Sequence, residues 1–228
     1  MRPFWIGTAV MLLAAACAHS PAPAPSASRS ATPSAHGTTV NPASINRVAR
    51  ELPPGYEVTT GIPSGASPRV IWDLAGDIAD AAVKPPQCAT LADPGDGRDQ
   101  SAQGVSASGS GGIVYAVVVA LPGPVDLDDN IVAECRQWTM TVGHTTASVG
   151  LAEAPQIDGA DTLGMVVDVK SSVESGTEID SRLYTFTAYL GNYYAFTTVT
   201  TDPGSALPAL TPRFAADLLV KTVSTLRG

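Results

Sequence analysis

Hydrophobic positions fall along the chain in three regimes. Residues 4–16 are an uncharged, mainly apolar run behind Met1, Arg2 and Pro3, ending at Cys17. Residues 18–43 show no periodicity: Pro21, Pro23, Pro25, Pro33 and Pro42 alternate with Ala, Ser and Thr, and no aromatic occurs. From residue 44 onward the apolar positions become periodic, first with helical and then mainly with strand spacing. Ile45, Val48 and Leu52 predict a short helix from Ser44, stopped by Pro53-Pro54-Gly55. Residues 56–60 read as a strand. Ile71, Trp72, Leu74, Ile78 and Val83 predict a short helix over 70–83, before Pro85-Pro86. Residues 104–108 and 113–121 read as paired strands around Gly109-Ser110-Gly111-Gly112. The second, IVYAVVVAL, is apolar on both faces and belongs at the centre of a sheet.

Leu127, Ile131, Cys135 and Trp138 predict a helix over 126–138, with Asp126, Asp128 and Asp129 where the macrodipole favours anions. The pattern then turns to β at 139–142, 146–152, 162–170, 182–190 and 193–200. The last two flank Gly191-Asn192, a hairpin signal. A terminal helix follows, with Thr211 as N-cap, Pro212 at its first position, and Phe214, Leu218, Val223 and Leu226 inward. The expected fold is α+β: an antiparallel sheet of about six strands with helices packed on one face. Residues 44–228 form a single domain in this reading.

Composition narrows the class. At 228 residues and 15% charged residues, with 21 Gly and 19 Pro, the chain is no coiled coil. All 21 acidic residues and 11 of the 13 basic ones lie in 44–228, a net charge of −10 there. Such a surface gives no footprint for nucleic acid and accepts cationic partners or simply stays soluble.

The first run is too short for a spanning helix, which needs about 20 apolar residues, and reads as a signal peptide over residues 1–16. Leu13-Ala14-Ala15-Ala16-Cys17 resembles the bacterial lipobox, with Ala14 where leucine is usual. The resemblance implies cleavage before Cys17, a diacylglycerol on its sulfur, and a place on the outer side of the cytoplasmic membrane. Residues 17–43 are then a tether too poor in apolar residues to fold. At about 3.1 Å per residue it lifts the domain several nanometres from the bilayer. Its serines and threonines beside proline are candidate O-glycosylation sites, and His19 and His36 carry no site. With export, the two remaining cysteines, Cys88 and Cys135, point to one disulfide rather than a metal or redox site.

Leu52-Pro53-Pro54-Gly55-Tyr56, Pro85-Pro86-Gln87-Cys88, and Gln103-Gly104-Val105-Ser106 with Gly111-Gly112-Ile113-Val114-Tyr115 resemble an actinobacterial family of secreted lipoproteins of unknown function, the mycobacterial LprH type. The order of elements is more loosely similar to the extracellular sensor domains of mycobacterial receptor kinases. That likeness implies helices against one face of an antiparallel sheet, a cleft and disulfides. It supplies no catalytic residues to carry over.

Candidate chemistry is sparse. No G-x-S-x-G occurs, and His144, the only histidine of the domain, reads as a loop residue. Asp126-x-Asp128-x-Asn130 begins like a calcium loop, but Ile131 and Gln137 stand where glycine and glutamate are required. Asp93, Asp96 and Asp99 lie in a Gly-rich loop read as solvated. Tyr184, Phe186, Tyr194 and Phe196 are candidates to line a groove for a sugar or apolar ligand, with core packing as the plainer account. No catalytic residue, metal or cofactor is expected. The leading reading is a non-enzymatic, membrane-anchored binding or sensing module for an envelope ligand or protein partner. Its rivals are a lipid or glycolipid carrier, which needs a large apolar cavity, and an envelope hydrolase, which needs His144 beside a serine and a carboxylate.

Overall fold

The computed structural model describes residues 39–74, 81–172, 177–201 and 208–228. The chain divides into two units, Met1–Gly37 and Thr38–Gly228, and everything described lies in the second. Cys17, the signal run, His19 and His36 lie outside the described residues.

The described residues form one sheet from nine strands: β1 (Glu57–Thr59), β2 (Ala82–Lys84), β3 (Ser101–Gly109), β4 (Gly112–Ala120), β5 (Gln137–Val142), β6 (Thr145–Ala152), β7 (Asp161–Ser172), β8 (Glu178–Tyr189) and β9 (Tyr193–Thr200). Their spatial order is β1-β3-β4-β9-β8-β7-β6-β5-β2, and every pairing is antiparallel. The expected six strands are thus corrected to nine. Both edge strands have only three residues, too few to show alternation, and β2 falls where helical spacing pointed to the end of a helix. Short edges also leave little unpaired backbone for unwanted association.

β4 sits between β3 and β9 and is buried on both sides. Val114, Ala116 and Val118 join one core, Val117 and Val119 the other. The first core lies under the N-terminal 3₁₀ helix (Pro42–Glu51) and the terminal helix, which supply Ile45, Val48, Leu218, Leu219, Val223 and Leu226. Ile45 and Val48 are three apart, which fits a helix of three residues per turn. Asn41 caps this helix, so it starts two residues ahead of the expected Ser44. The second core lies under three short helices, α1 (Pro68–Ile71), α2 (Ala89–Ala92) and α3 (Asp129–Glu134), with the loops around them. Helices therefore cover both faces, not one. A sheet whose central strands are apolar on both sides requires a layer on each.

The helix expected over 126–138 shrinks to α3, because from Gln137 the alternation of Trp138, Met140 and Val142 is satisfied by pairing with β6. Within the predicted helix over 70–83, the described residues form the end of α1, which is capped by Ser67 and ended at Asp73 with a φ of 48°, and then β2. Residues 75–80 lie outside the described residues. The terminal helix, α4 (Pro212–Arg227), has Thr211 accepting from the Phe214 N–H. Gly191 supplies the positive φ, 73°, of the β8–β9 turn, closed by Leu190 N–H to the Tyr193 carbonyl. Cys88 and Cys135 form a disulfide, both fully buried in the second core. No helix among the described residues is long and apolar enough to cross a membrane.

Candidate functional site

The four aromatics expected to share a groove do not meet. Alternation along β8 sends Tyr184 and Phe186 toward α4, while alternation along β9 sends Tyr194 and Phe196 to the opposite core. The register fixes this split, since Phe186 pairs with Thr197 and Thr187 with Phe196. Phe186, Tyr194 and Phe196 are buried, and the last two stack with centroids 6.1 Å apart. The groove is corrected to two pieces of core packing, with Tyr184 half-buried at the margin of one.

Nor do the other candidates assemble as a catalytic or calcium constellation. His144 is exposed in the β5–β6 turn, and among the described residues its side chain has no hydrogen-bonded serine or carboxylate. Asp128 caps α3, accepting from the N–H groups of Asn130 and Ile131. Asp93 and Asp96 both face Arg69, at 3.2 and 3.5 Å, so that guanidinium takes the place a cation would hold. Burial lifts the Asp93 pKa above the ordinary carboxylate value. The nearby Arg69 charge, the Ser67 hydroxyl and the Gly95 N–H only partly oppose this rise, and Asp96 adds to it.

What the fold does bring together is a cleft of about 190 Å³ between the loop after α2 and the chain leading into α3. Thr90, Leu91 and Pro94 stand on one side, and Pro124, Val125, Leu127 and Ile131 on the other. The disulfide ties these walls, since Cys88 adjoins α2 and Cys135 ends α3. Arg98 bridges the two walls: its guanidinium donates to the carbonyls of Pro124 at 2.9 Å and Pro94 at 2.7 Å. These acceptors are neutral, and among the described residues Arg98 has no carboxylate partner. Asp126 and Asp128 line the same cleft, and neither meets a cation among the described residues.

Tyr189, from the end of β8, borders the cleft from the sheet side and is 6% exposed. Its hydroxyl has no hydrogen-bond partner among the described residues. Burial, with Asp161 adding, pushes its pKa well above the ordinary phenol value, so it stays a neutral donor. The neighbouring Tyr194 is held neutral in the same way, mainly by burial, and its hydroxyl donates to Gln100 Oε1 at 3.2 Å. The hydroxyl oxygen of Tyr189 itself is not sealed from solvent, so it can donate to water or to an acceptor in the cleft. Asp126 was legible in the sequence as a helix-start acid and as the first position of an incomplete calcium-loop pattern. No sequence pattern joins Arg98 to Tyr189: 91 residues separate them along the chain, and only the fold brings them to one cleft.

A second concavity, of about 450 Å³, lies on the half-sheet β7-β6-β5-β2 that α4 does not cover. Its floor is Gly150, Ser148 and Thr139, and Lys84 stands at its edge. At the far end Asp168 is already paired with Arg182, and along the next row Lys170 with Asp180. Of its two charged lining residues, Asp168 is thus neutralised within the sheet and Lys84 is in no ion pair among the described residues.

The model of a family described as a domain of unknown function, DUF5642, matches residues 41–227. The chain belongs to this family. The matched span runs from the cap of the first 3₁₀ helix, Asn41, to the last residue of α4, so the family corresponds to the folded unit. No curated protein matches the chain. Among solved structures, an uncharacterized protein of Mycobacterium smegmatis, the Rv0999 ortholog, is similar at 22% identity with a TM-score of 0.63, over 83% of this chain and 98% of that one. The extracellular domain of PknH from Mycobacterium tuberculosis is similar at 14% identity with a TM-score of 0.38, over 83% of this chain and 92% of that one. The first likeness shows a shared fold; the second is too distant to add to it.

Proposed function

We propose that this DUF5642 domain is a non-enzymatic binding or sensing module, carried outside the cytoplasmic membrane by a lipid anchor on Cys17 in the manner of an LprH-type lipoprotein. The observation that carries the binding role is the cleft: around one small space stand the Arg98 guanidinium and the carboxylates of Asp126 and Asp128, none of them in an ion pair among the described residues, with the Tyr189 hydroxyl beside them. A concave, partly apolar space with a few convergent polar and charged groups is the usual form of a small-molecule site. The carrier reading finds less support. Both cores of the domain are filled by side chains from the sheet and its covering layers. A lipid chain needs an apolar cavity larger than the cleft provides.

The test uses the whole chain with Cys17→Ala, expressed with export in an actinobacterial host. The variant is expected in the medium while the parent stays with membranes; equal membrane retention refutes the anchor. Native mass spectrometry of the released variant then compares its mass with the denatured mass. A small adduct lost on denaturation supports a binding module, and an adduct of lipid mass overturns it in favour of the carrier.

A further inference from the structure

The cleft carries both signs of charge on an apolar floor, and among the described residues none of these charges is in an ion pair. We infer that its ligand is a small zwitterion with an apolar body, the chemistry of a free amino acid with an aliphatic side chain or of a short aliphatic peptide. This rests on the binding reading above and names the ligand class for the same cleft.

Size comes first. At about 190 Å³ the cleft is below the roughly 300–1,000 Å³ of sites for drug-sized ligands, so its occupant is small. Charge comes second. Arg98 donates to two neutral carbonyls and keeps its full positive charge, and a guanidinium has five N–H donors, so capacity remains for a carboxylate. Asp126 and Asp128 present carboxylates along the same cleft. Asp128 uses one oxygen, Oδ1, to cap α3, which leaves its second oxygen for an ammonium. Arg98 forms no ion pair with either acid, so the cleft separates the two signs rather than cancelling them. Hydrophobicity comes third: Leu91 and Ile131 belong to the apolar layer beneath the cleft and suit an aliphatic body. The Tyr189 hydroxyl then supplies one neutral donor for an acceptor on the ligand. Metal binding is not needed to account for any of these groups.

The experiment is an amide-resolved NMR titration of the full Cys17→Ala chain with L-leucine and leucyl-leucine. Isovalerate, isoamylamine and glycine serve as controls that lack the ammonium, the carboxylate and the apolar body. L-leucine or leucyl-leucine is expected to give saturable shifts centred on residues 90–98 and 124–131, and each control to bind at least about tenfold more weakly. A tighter dipeptide identifies a short peptide as the source; a tighter leucine identifies the free amino acid. Asp126→Asn, at an exposed residue, is expected to weaken the zwitterion about tenfold and to leave isovalerate unchanged. Tyr189→Phe removes only the hydroxyl and is expected to weaken binding a few-fold. No saturable shift with either zwitterion at 10 mM, roughly the weakest affinity worth a specific site, overturns the inference. So does equal binding of isovalerate or isoamylamine. If an adduct of other chemistry survives in the native mass spectrum and neither zwitterion displaces it, the ligand class is wrong while the binding reading stands. If there is neither adduct nor shift, both fall.

Discussion

Opening the Cys88–Cys135 bridge tests the energetic frame of the domain. The two residues are 47 apart in sequence, so the bridge closes a loop of about 48 residues in the denatured chain. Loop-closure entropy of −2.1 − 1.5R ln n then gives about 14 cal/mol/K, or about 4 kcal/mol at 25 °C. Reduction is the cleaner perturbation. Alanine at both positions would also delete two fully buried sulfurs and add a packing loss on the order of 1–2 kcal/mol. The expected loss corresponds to a fall in Tm of roughly 8–16 °C at about 2–4 °C per kcal/mol for a domain of this size. Urea unfolding of oxidised and reduced protein is followed by tryptophan fluorescence, since Trp72 and Trp138 are buried with ring centroids 6.0 Å apart in the core that holds the bridge. Free energies rather than midpoints must be compared, because a chain freed of its loop expands and raises m. A loss below about 1 kcal/mol would refute the reasoning: the denatured chain would already be constrained, or the native bridge strained enough to cancel its own gain.

Three further outcomes follow from the same geometry. At Gly164 an added Cβ would lie 2.7 Å from the Ala152 carbonyl oxygen and 3.0 Å from Phe186, so Gly164→Ala is expected to destabilise by about 1–3 kcal/mol. Gly150 has nothing within 4 Å of that position, so Gly150→Ala on the next strand should be neutral or stabilise by about 0.5–1 kcal/mol; calorimetry of the pair checks both. For Asp93, whose folded pKa lies above the unfolded value of 3.8, the stabilising contribution is complete below pH 3.8 and lost as pH rises through the raised folded value. Urea unfolding from pH 3 to 7 should therefore show the parent losing stability relative to Asp93→Asn as pH rises; a difference that grows in the parent's favour would mean that Arg69 outweighs burial.

The sheet was legible because its strands repeat one simple rule. β9 was bounded correctly, β6 and β7 to within two residues, and β8 at its end but four residues late at its start, since alternation over eight or more residues cannot be satisfied by a helix. β4 announced its central place by being apolar on both sides, and α4 announced its start by Thr211 and Pro212. What failed was what depends on partners. Val83 became part of a strand because β5 offered an edge, and Trp138 left a helical pattern because β6 did the same. A β4 buried on both sides already implied two covering layers, so helices on one face only was an inference that the pattern itself contradicted.

The aromatic cluster and the cleft show the limit from opposite directions. Tyr184, Phe186, Tyr194 and Phe196 are neighbours in sequence and even in adjacent strands, yet the pleat divides them between two cores. Proximity along a hairpin therefore predicts a shared face only when the register is known, and a shift of one residue would have reversed the assignment. Arg98, Asp126 and Tyr189 are far apart in sequence and unremarkable one by one. They become a site because β8 carries Tyr189 beneath two loops whose separation a disulfide holds, and because Arg98 spends its hydrogen bonds on carbonyls rather than on an acid. The features that make the cleft a candidate are thus charges of both signs brought to one concavity without pairing, and that juxtaposition is a property of a folded chain that no residue pattern records.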